Sequence, residues 1–121
     1  MIILIILKDL LLSREELDKL ENNPIFVYWL YGGVDENRLN EEEKQIIISR
    51  QMYYDLVISD DRMIFVLERL DCQNYDSLIE DKEKLSKAAF FLGQREDIVK
   101  TKVLLMKKRK EKEKVLKMKE N

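Results

Sequence analysis

Residues that could do catalytic chemistry are scarce in this chain of 121 residues. It has no histidine and one cysteine, which removes histidine general bases, nearly all catalytic zinc sites and any internal disulfide. Cys72 directly follows Asp71, and a neighbouring carboxylate disfavours the thiolate that a cysteine nucleophile needs. We therefore expect a protein that is not an enzyme.

Motifs for cofactors and metals are equally scarce. Gly32 and Gly33 are the only adjacent glycines, and no Gly-Lys-Ser/Thr follows them, so a phosphate-binding loop is not expected. The acidic stretch from Asp35 lacks the sixth-position Gly and the twelfth-position Glu of a calcium loop. Acidic residues at helix starts have a simpler role, because they interact favourably with the helix dipole. The sequence predicts no cofactor and no metal.

The distribution of charge indicates a binding partner. The formal net charge is only −2, but residues 100–121 contain ten basic and three acidic residues, so this end carries +7 and residues 1–99 carry −9. The run Lys107-Lys108-Arg109-Lys110 can neutralise phosphates of a nucleic acid, or can be the solvated end of a helix. The acidic body can also receive the basic segment of a second copy, which leaves a homo-oligomer open.

A second candidate surface is the aromatic block at 25–31. Phe26, Trp29 and Tyr31 are residue types that stack on bases or anchor protein interfaces. No basic residue lies within the block, which disfavours base stacking. Packing in the core is the favoured interpretation, and binding in a partner's groove is the alternative.

Cap signals and apolar spacing predict an all-α bundle of four to six helices, the last one long, charged and extending past the core. Ser13 with Glu16, and Asn40 with Glu43, fit capping boxes, and Gly93 fits either a helix stop or a weak point inside a helix. The expected helices are Arg14–Glu21, Ile25–Tyr31, Glu41–Ile58, a segment restarting after Ser59 that buries Met63, Ile64, Val66, Leu67 and Leu70, a segment starting at Asp76 or Ser77 and running to Leu92, and a last helix from Gln94. Two alternatives are a buried strand at 25–31, because aromatic and β-branched residues favour strands, and one bent helix over 41–71.

The domain organisation follows from where apolar residues stop. Lys107–Lys114 contains no apolar residue, so we expect a helical domain over residues 1–106 and a basic helical extension over residues 107–121. The apolar start, residues 1–12, is interrupted by Lys8 and Asp9 and is shorter than a membrane span. A buried strand or helix there, a cytoplasmic location and no membrane partner are expected.

Part of the sequence resembles the last two helices of BAG co-chaperone domains, which bind the nucleotide-binding part of Hsp70 chaperones. The resemblance covers Val66–Asp71, Lys82–Leu85 and Phe91–Leu92. Asp71 matches a functional position of that family, whereas Asp81 and Ala89 stand where the family carries its chaperone-facing Arg and Gln. The resemblance implies a BAG-like co-chaperone as one alternative function.

The favoured function is a non-enzymatic protein–protein interaction or adaptor protein. Such a small regulatory, assembly or inhibitory factor is of the kind that mobile elements, phages and viruses encode. It would bind through an apolar helix face, with charge setting partner choice. The other alternative is a protein associated with nucleic acid or ribonucleoprotein through the basic C-terminal helix. The candidate partner-binding residues are Phe26, Trp29, Tyr31, Lys107, Lys108, Arg109 and Lys110.

Overall fold

A computed structural model describes the backbone of residues 22–120 and the side chains of residues 22–118. Six α-helices and one short 3-10 helix make up the secondary structure of these residues, without a strand, so the predicted all-α class is confirmed. The predicted helix 14–21 and the apolar segment 1–12 lie outside the described residues. The elements are α1 (Pro24–Leu30), the 3-10 helix (Glu36–Arg38), α2 (Glu41–Val57), α3 (Asp60–Arg69), α4 (Tyr75–Glu80), α5 (Lys82–Leu92) and α6 (Glu96–Glu120).

Several helix ends form as the sequence predicts, because their signals are local. Asparagine is a favoured N-cap residue, and the Asn23 side chain begins α1 by accepting a hydrogen bond from the backbone N–H of Ile25 at 2.9 Å. Asn40 and Glu43 form a reciprocal capping box, with backbone-to-side-chain distances of 2.8 and 3.2 Å. Gly93 ends α5 at φ +66°, a left-handed conformation that glycine adopts without a Cβ penalty.

The prediction of one helix between residue 76 and Leu92 is wrong. Asn74 begins α4 two or three residues earlier than expected by accepting from the backbone N–H of Ser77 at 3.1 Å. Asp81 then ends α4 and begins α5, and its carboxylate accepts from the backbone N–H groups of Glu83 and Lys84 at 3.0 and 3.2 Å. Aspartate breaks the helix here because its side chain competes for backbone donors.

The chain forms two compact units that divide between Leu56 and Val57. In the described part of the N-terminal unit, residues 22–56, the core is aromatic. The Phe26 ring stacks on Tyr54 at 6.3 Å between centroids and lies 6.0 Å from the Trp29 ring. The buried guanidinium of Arg50 lies 4.8 Å from the Phe26 ring centroid, a cation–π contact.

The C-terminal unit, residues 57–120 as described, contains α3 to α6. Its core comprises Ile58, Met63, Leu67, Leu78, Ala88, Leu92, Val99, Val103 and Leu105, each no more than 1% exposed. The predicted burial of Ile64 is wrong: its side chain is 42% exposed. Ile64 lies about 100° around α3 from Met63, so the turn of the helix carries it off the packed face.

Helix α6 continues without interruption through the charged run 107–114, as predicted, and residues 111–118 are all exposed. The long charged helix therefore extends past the core of the C-terminal unit. Lys107 lies inside this continuous helix, and the domain boundary proposed before it stays a prediction.

Candidate functional site

The predicted aromatic site divides between the core and the surface of the N-terminal unit. Phe26 and Trp29 are 1% and 2% exposed, whereas Tyr31 is 60% exposed. Helix spacing explains the difference, since Phe26 and Trp29 are three residues apart and share the packed face of α1. Partner binding through Phe26 and Trp29 stays a prediction, and it would require these rings to leave the core.

The predicted basic residues lie on α6, and acidic residues of the C-terminal unit meet part of them. The Lys107 ammonium lies 2.5 Å from the Asp76 carboxylate, and the Arg109 guanidinium lies 3.4 Å from that of Asp60. The Lys110 ammonium lies 5.6 Å from the centroid of the Tyr75 ring. Some of the basic residues at the C-terminal end of the sequence are thus paired with acidic residues from the preceding part of this unit. Lys108, the remaining predicted residue, is half-buried.

Two titrating groups respond to these contacts. The hydrogen bond to Asp76 raises the pKa of the Lys107 ammonium, and the carboxylates of Glu111 and Glu80 add to this effect against the cost of desolvation. Partial burial raises the pKa of the Tyr75 hydroxyl, and the negative charge of Asp60 adds to the rise. Both side chains therefore keep their neutral-pH protonation state.

Sequence reasoning missed Lys102, whose side chain is fully buried with its ammonium 2.5 Å from the Asp60 carboxylate. A signal for this burial exists in the sequence. Lys102 is three residues after Val99 and three before Leu105, so it lies within the apolar stripe of α6. A lysine in that position must either bury its charge against a carboxylate or disrupt the packing.

A polar groove of about 640 Å³ separates α6 from the segment that leads into α4. One wall carries Lys107, Lys110 and Lys114, which recur at spacings of three and four residues and so share one face of α6. The opposite wall carries Tyr75 and polar side chains on either side of it. We call this space the polar groove. Its volume is in the usual range for small-ligand sites, but its lining is far more polar than theirs.

A second accessible feature is the phenylalanine pair, Phe90 and Phe91 near the end of α5. Their side chains are 81% and 60% exposed. The rings meet edge to face, with centroids 5.7 Å apart and planes at 85°. Sequence reasoning missed this pair because an Ala-Ala-Phe-Phe-Leu run gives no indication of which apolar residues face outward.

Three observations on the described residues concern metal ligands, the Cys72 thiol and membrane-spanning helices. Residues 22–118 contain no cluster of three or more metal-ligating side chains. The Cys72 thiol is buried and donates to the carbonyl oxygen of Leu70 at 3.3 Å. Among the helices described, none is both long and apolar enough to cross a membrane.

Comparison of the chain with protein-family models, with curated proteins and with solved structures found no match. The resemblance to BAG domains therefore rests on the residues quoted above. Of those residues, Asp71 directly follows Leu70, the C-cap of α3, has a φ of +54° and borders the polar groove. Asp81 is the N-cap of α5, and Ala89 is buried, so neither supplies the exposed Arg or Gln that the family presents.

Proposed function

We propose that this protein is a non-enzymatic protein–protein interaction factor, an adaptor or small regulatory protein, that binds its partner through the phenylalanine pair. The supporting observation is the exposure of two adjacent large apolar rings, 81% for Phe90 and 60% for Phe91. Burying one such ring contributes about 1.5–3 kcal/mol. Contiguous apolar surface on a soluble protein marks interaction sites.

The surroundings of the pair favour it over other exposed apolar residues. Phe65 on α3 is 55% exposed, but the Arg69 guanidinium lies 4.8 Å from its ring and competes with a partner for that face. The rings of Phe90 and Phe91 instead contact each other edge to face, and together they offer one continuous aromatic surface to a partner. Such a compact aromatic anchor has the character of an interface hot spot.

The charge beside the pair indicates what kind of partner surface it fits. Lys87 lies three and four residues before the two rings, and Lys84 lies seven residues before Phe91, so both are on the same outer side of α5. Neither lysine forms an ion pair with the part of the chain described here. The fitting partner is an apolar pocket bordered by carboxylates, and the proposed compartment is the cytoplasm.

The proposal is tested by affinity capture from the native cell with the full chain as bait. The double variant Phe90→Gln/Phe91→Gln removes both rings and keeps good helix formers on α5. We expect the variant to capture at least about tenfold less of the specific partner than the wild-type chain does. The reason is that burial of two rings contributes more than the 1.4 kcal/mol that corresponds to a factor of ten in affinity.

The matched control is Val115→Gln/Leu116→Gln, which removes two apolar side chains that are 53% and 56% exposed on α6. This control should retain the partner. Circular dichroism should give the same helix content for all three proteins. Equal capture by wild type and the Phe90→Gln/Phe91→Gln variant would refute the assignment of the interface to α5.

A further inference from the structure

We propose that the polar groove binds a single-stranded nucleic acid, with lysines of α6 contacting phosphates and the Tyr75 ring stacking on a base. This proposal is independent of the interface on α5, since it concerns another face of the C-terminal unit. It combines three features of the groove: a row of cations, an aromatic ring opposite them, and a polar rim.

The row of cations follows the axis of α6. Lys110 and Lys114 line the groove, and Lys117 continues their row along α6 beyond it. The three lysines recur at spacings of four and three residues and are all exposed, so their positions form a line with steps of about 6 and 4.5 Å. Lys114 and Lys117 form no ion pair within the described residues. Grooves that bind single strands use such a line of positive charge to follow the phosphate backbone.

The aromatic ring is placed where a base would lie beside those phosphates. Tyr75 is half-buried and lines the groove, and the Lys110 ammonium lies 5.6 Å from its ring centroid. In the proposed complex this ammonium moves from the ring to a phosphate, which frees the ring face for a base. Stacking on an aromatic ring tolerates every base, because each base has a π-face. Gln73, exposed at the same rim, offers an amide that can donate to or accept from a base edge.

The acidic residues of the groove limit what it can accept. Asp76 already holds Lys107 at 2.5 Å, so Lys107 is not counted as a phosphate contact. Asp71 stands on the wall opposite the lysines, whereas Glu111 lies between Lys110 and Lys114 on α6 and offsets part of their positive charge. A second phosphate backbone would lie against the acidic wall and be repelled. The arrangement therefore favours one strand over a duplex.

Fluorescence anisotropy on the full chain tests the proposal, with labelled oligo(dT) and oligo(U) of about twelve nucleotides, within the range of single-strand site sizes. Three phosphate contacts predict a slope of log K against log salt concentration of about −2. Binding of either probe supports the proposal, and the stronger probe distinguishes DNA from RNA. No binding of either probe at low salt overturns it, as does equal affinity for a duplex of the same length.

Two sets of variants identify the groove. Lys110→Glu/Lys114→Glu should weaken binding at least about tenfold, since it removes two of three phosphate contacts. Lys82→Glu/Lys84→Glu on α5 changes the net charge of the C-terminal unit equally and should retain most of the affinity. Equal loss in the two variants would mean that net charge, rather than the groove, drives binding.

Two substitutions of Tyr75 distinguish its proposed role in base stacking from its role in the fold. Tyr75→Leu should weaken binding roughly tenfold by removing the stacking face, whereas Tyr75→Phe should bind as wild type does. Both variants should show unchanged circular dichroism. Equal binding by Tyr75→Leu and Tyr75→Phe would overturn the stacking arrangement.

Discussion

The contact between Lys102 and Asp60 gives a prediction about stability that the sequence does not contain. The Lys102 side chain is fully buried and its ammonium lies 2.5 Å from the Asp60 carboxylate. The two residues are 42 positions apart in the chain, so the contact forms only when α3 and α6 pack. Removal of the carboxylate by Asp60→Ala takes this counter-charge from the buried ammonium of Lys102 and also removes the contact of Asp60 with Arg109.

The size of this effect follows from the exposure of the two side chains. Breaking a fully buried ion pair by removing one partner costs about 3–5 kcal/mol. The Asp60 side chain is 50% exposed, so water reaches the site and compensates part of the loss. We therefore expect Asp60→Ala to lower the free energy of unfolding by about 2 kcal/mol, measured by urea unfolding followed with far-UV circular dichroism.

Asp61 supplies the matched control. It lies in the same first turn of α3 and is exposed, so Asp61→Ala removes only a favourable interaction with the helix dipole, about 0.3–1 kcal/mol. A complementary variant, Lys102→Met, replaces the buried cation by an apolar chain of similar length and should change stability by less than about 1 kcal/mol. The reasoning is wrong if Asp60→Ala lowers the free energy of unfolding no more than Asp61→Ala does. It is also wrong if Lys102→Met lowers this free energy more than Asp60→Ala does.

Two further predictions concern other parts of the molecule. Trp29→Ala should lower the free energy of unfolding of the chain by about 3–5 kcal/mol, because the ring is 2% exposed; urea unfolding measures this, and a loss under about 1 kcal/mol would contradict its burial. The Arg95 guanidinium hydrogen-bonds to Asp97 and lowers the pKa of that carboxyl. The stability from this pair is present above the unfolded-state pKa of about 3.9 and is lost as the pH falls through the folded-state pKa. In urea unfolding at a series of pH values, the free energy of unfolding of Asp97→Asn should therefore fall less at acid pH than that of the wild type. Arg95→Gln should raise the Asp97 pKa, measured by NMR titration.

Some features of the candidate sites could be predicted from the sequence, whereas others could be found only in the structure. The basic run at 107–110 is visible in the sequence, but the contacts of Lys107 with Asp76 and of Arg109 with Asp60 are not. The phenylalanine pair was missed for the related reason that residue type predicts burial only on average. Which apolar residues remain exposed depends on which helix faces acquire a neighbour.

The sequence by itself determined the all-α class and the capping box at Asn40 and Glu43, and it gave a helix stop as one of two interpretations of Gly93. The capping box and the glycine stop depend on residues within about one helical turn of each other, and their hydrogen bonds are local. The break at Asp81 is also local, but there the helix pattern and the aspartate cap compete, and the apolar periodicity favoured the wrong outcome.

Only the tertiary structure decided which charges are buried, which are paired and which rings are exposed. Lys102 meets Asp60 because α3 and α6 share a core, and the polar groove exists because α6 lies beside the start of α4. Within the +7 end of the chain, residues 100–109 are therefore part of a packed unit, and residues 110–118 form an exposed charged helix. Long-range pairing depends on the placement of whole helices, which local propensity and spacing do not encode.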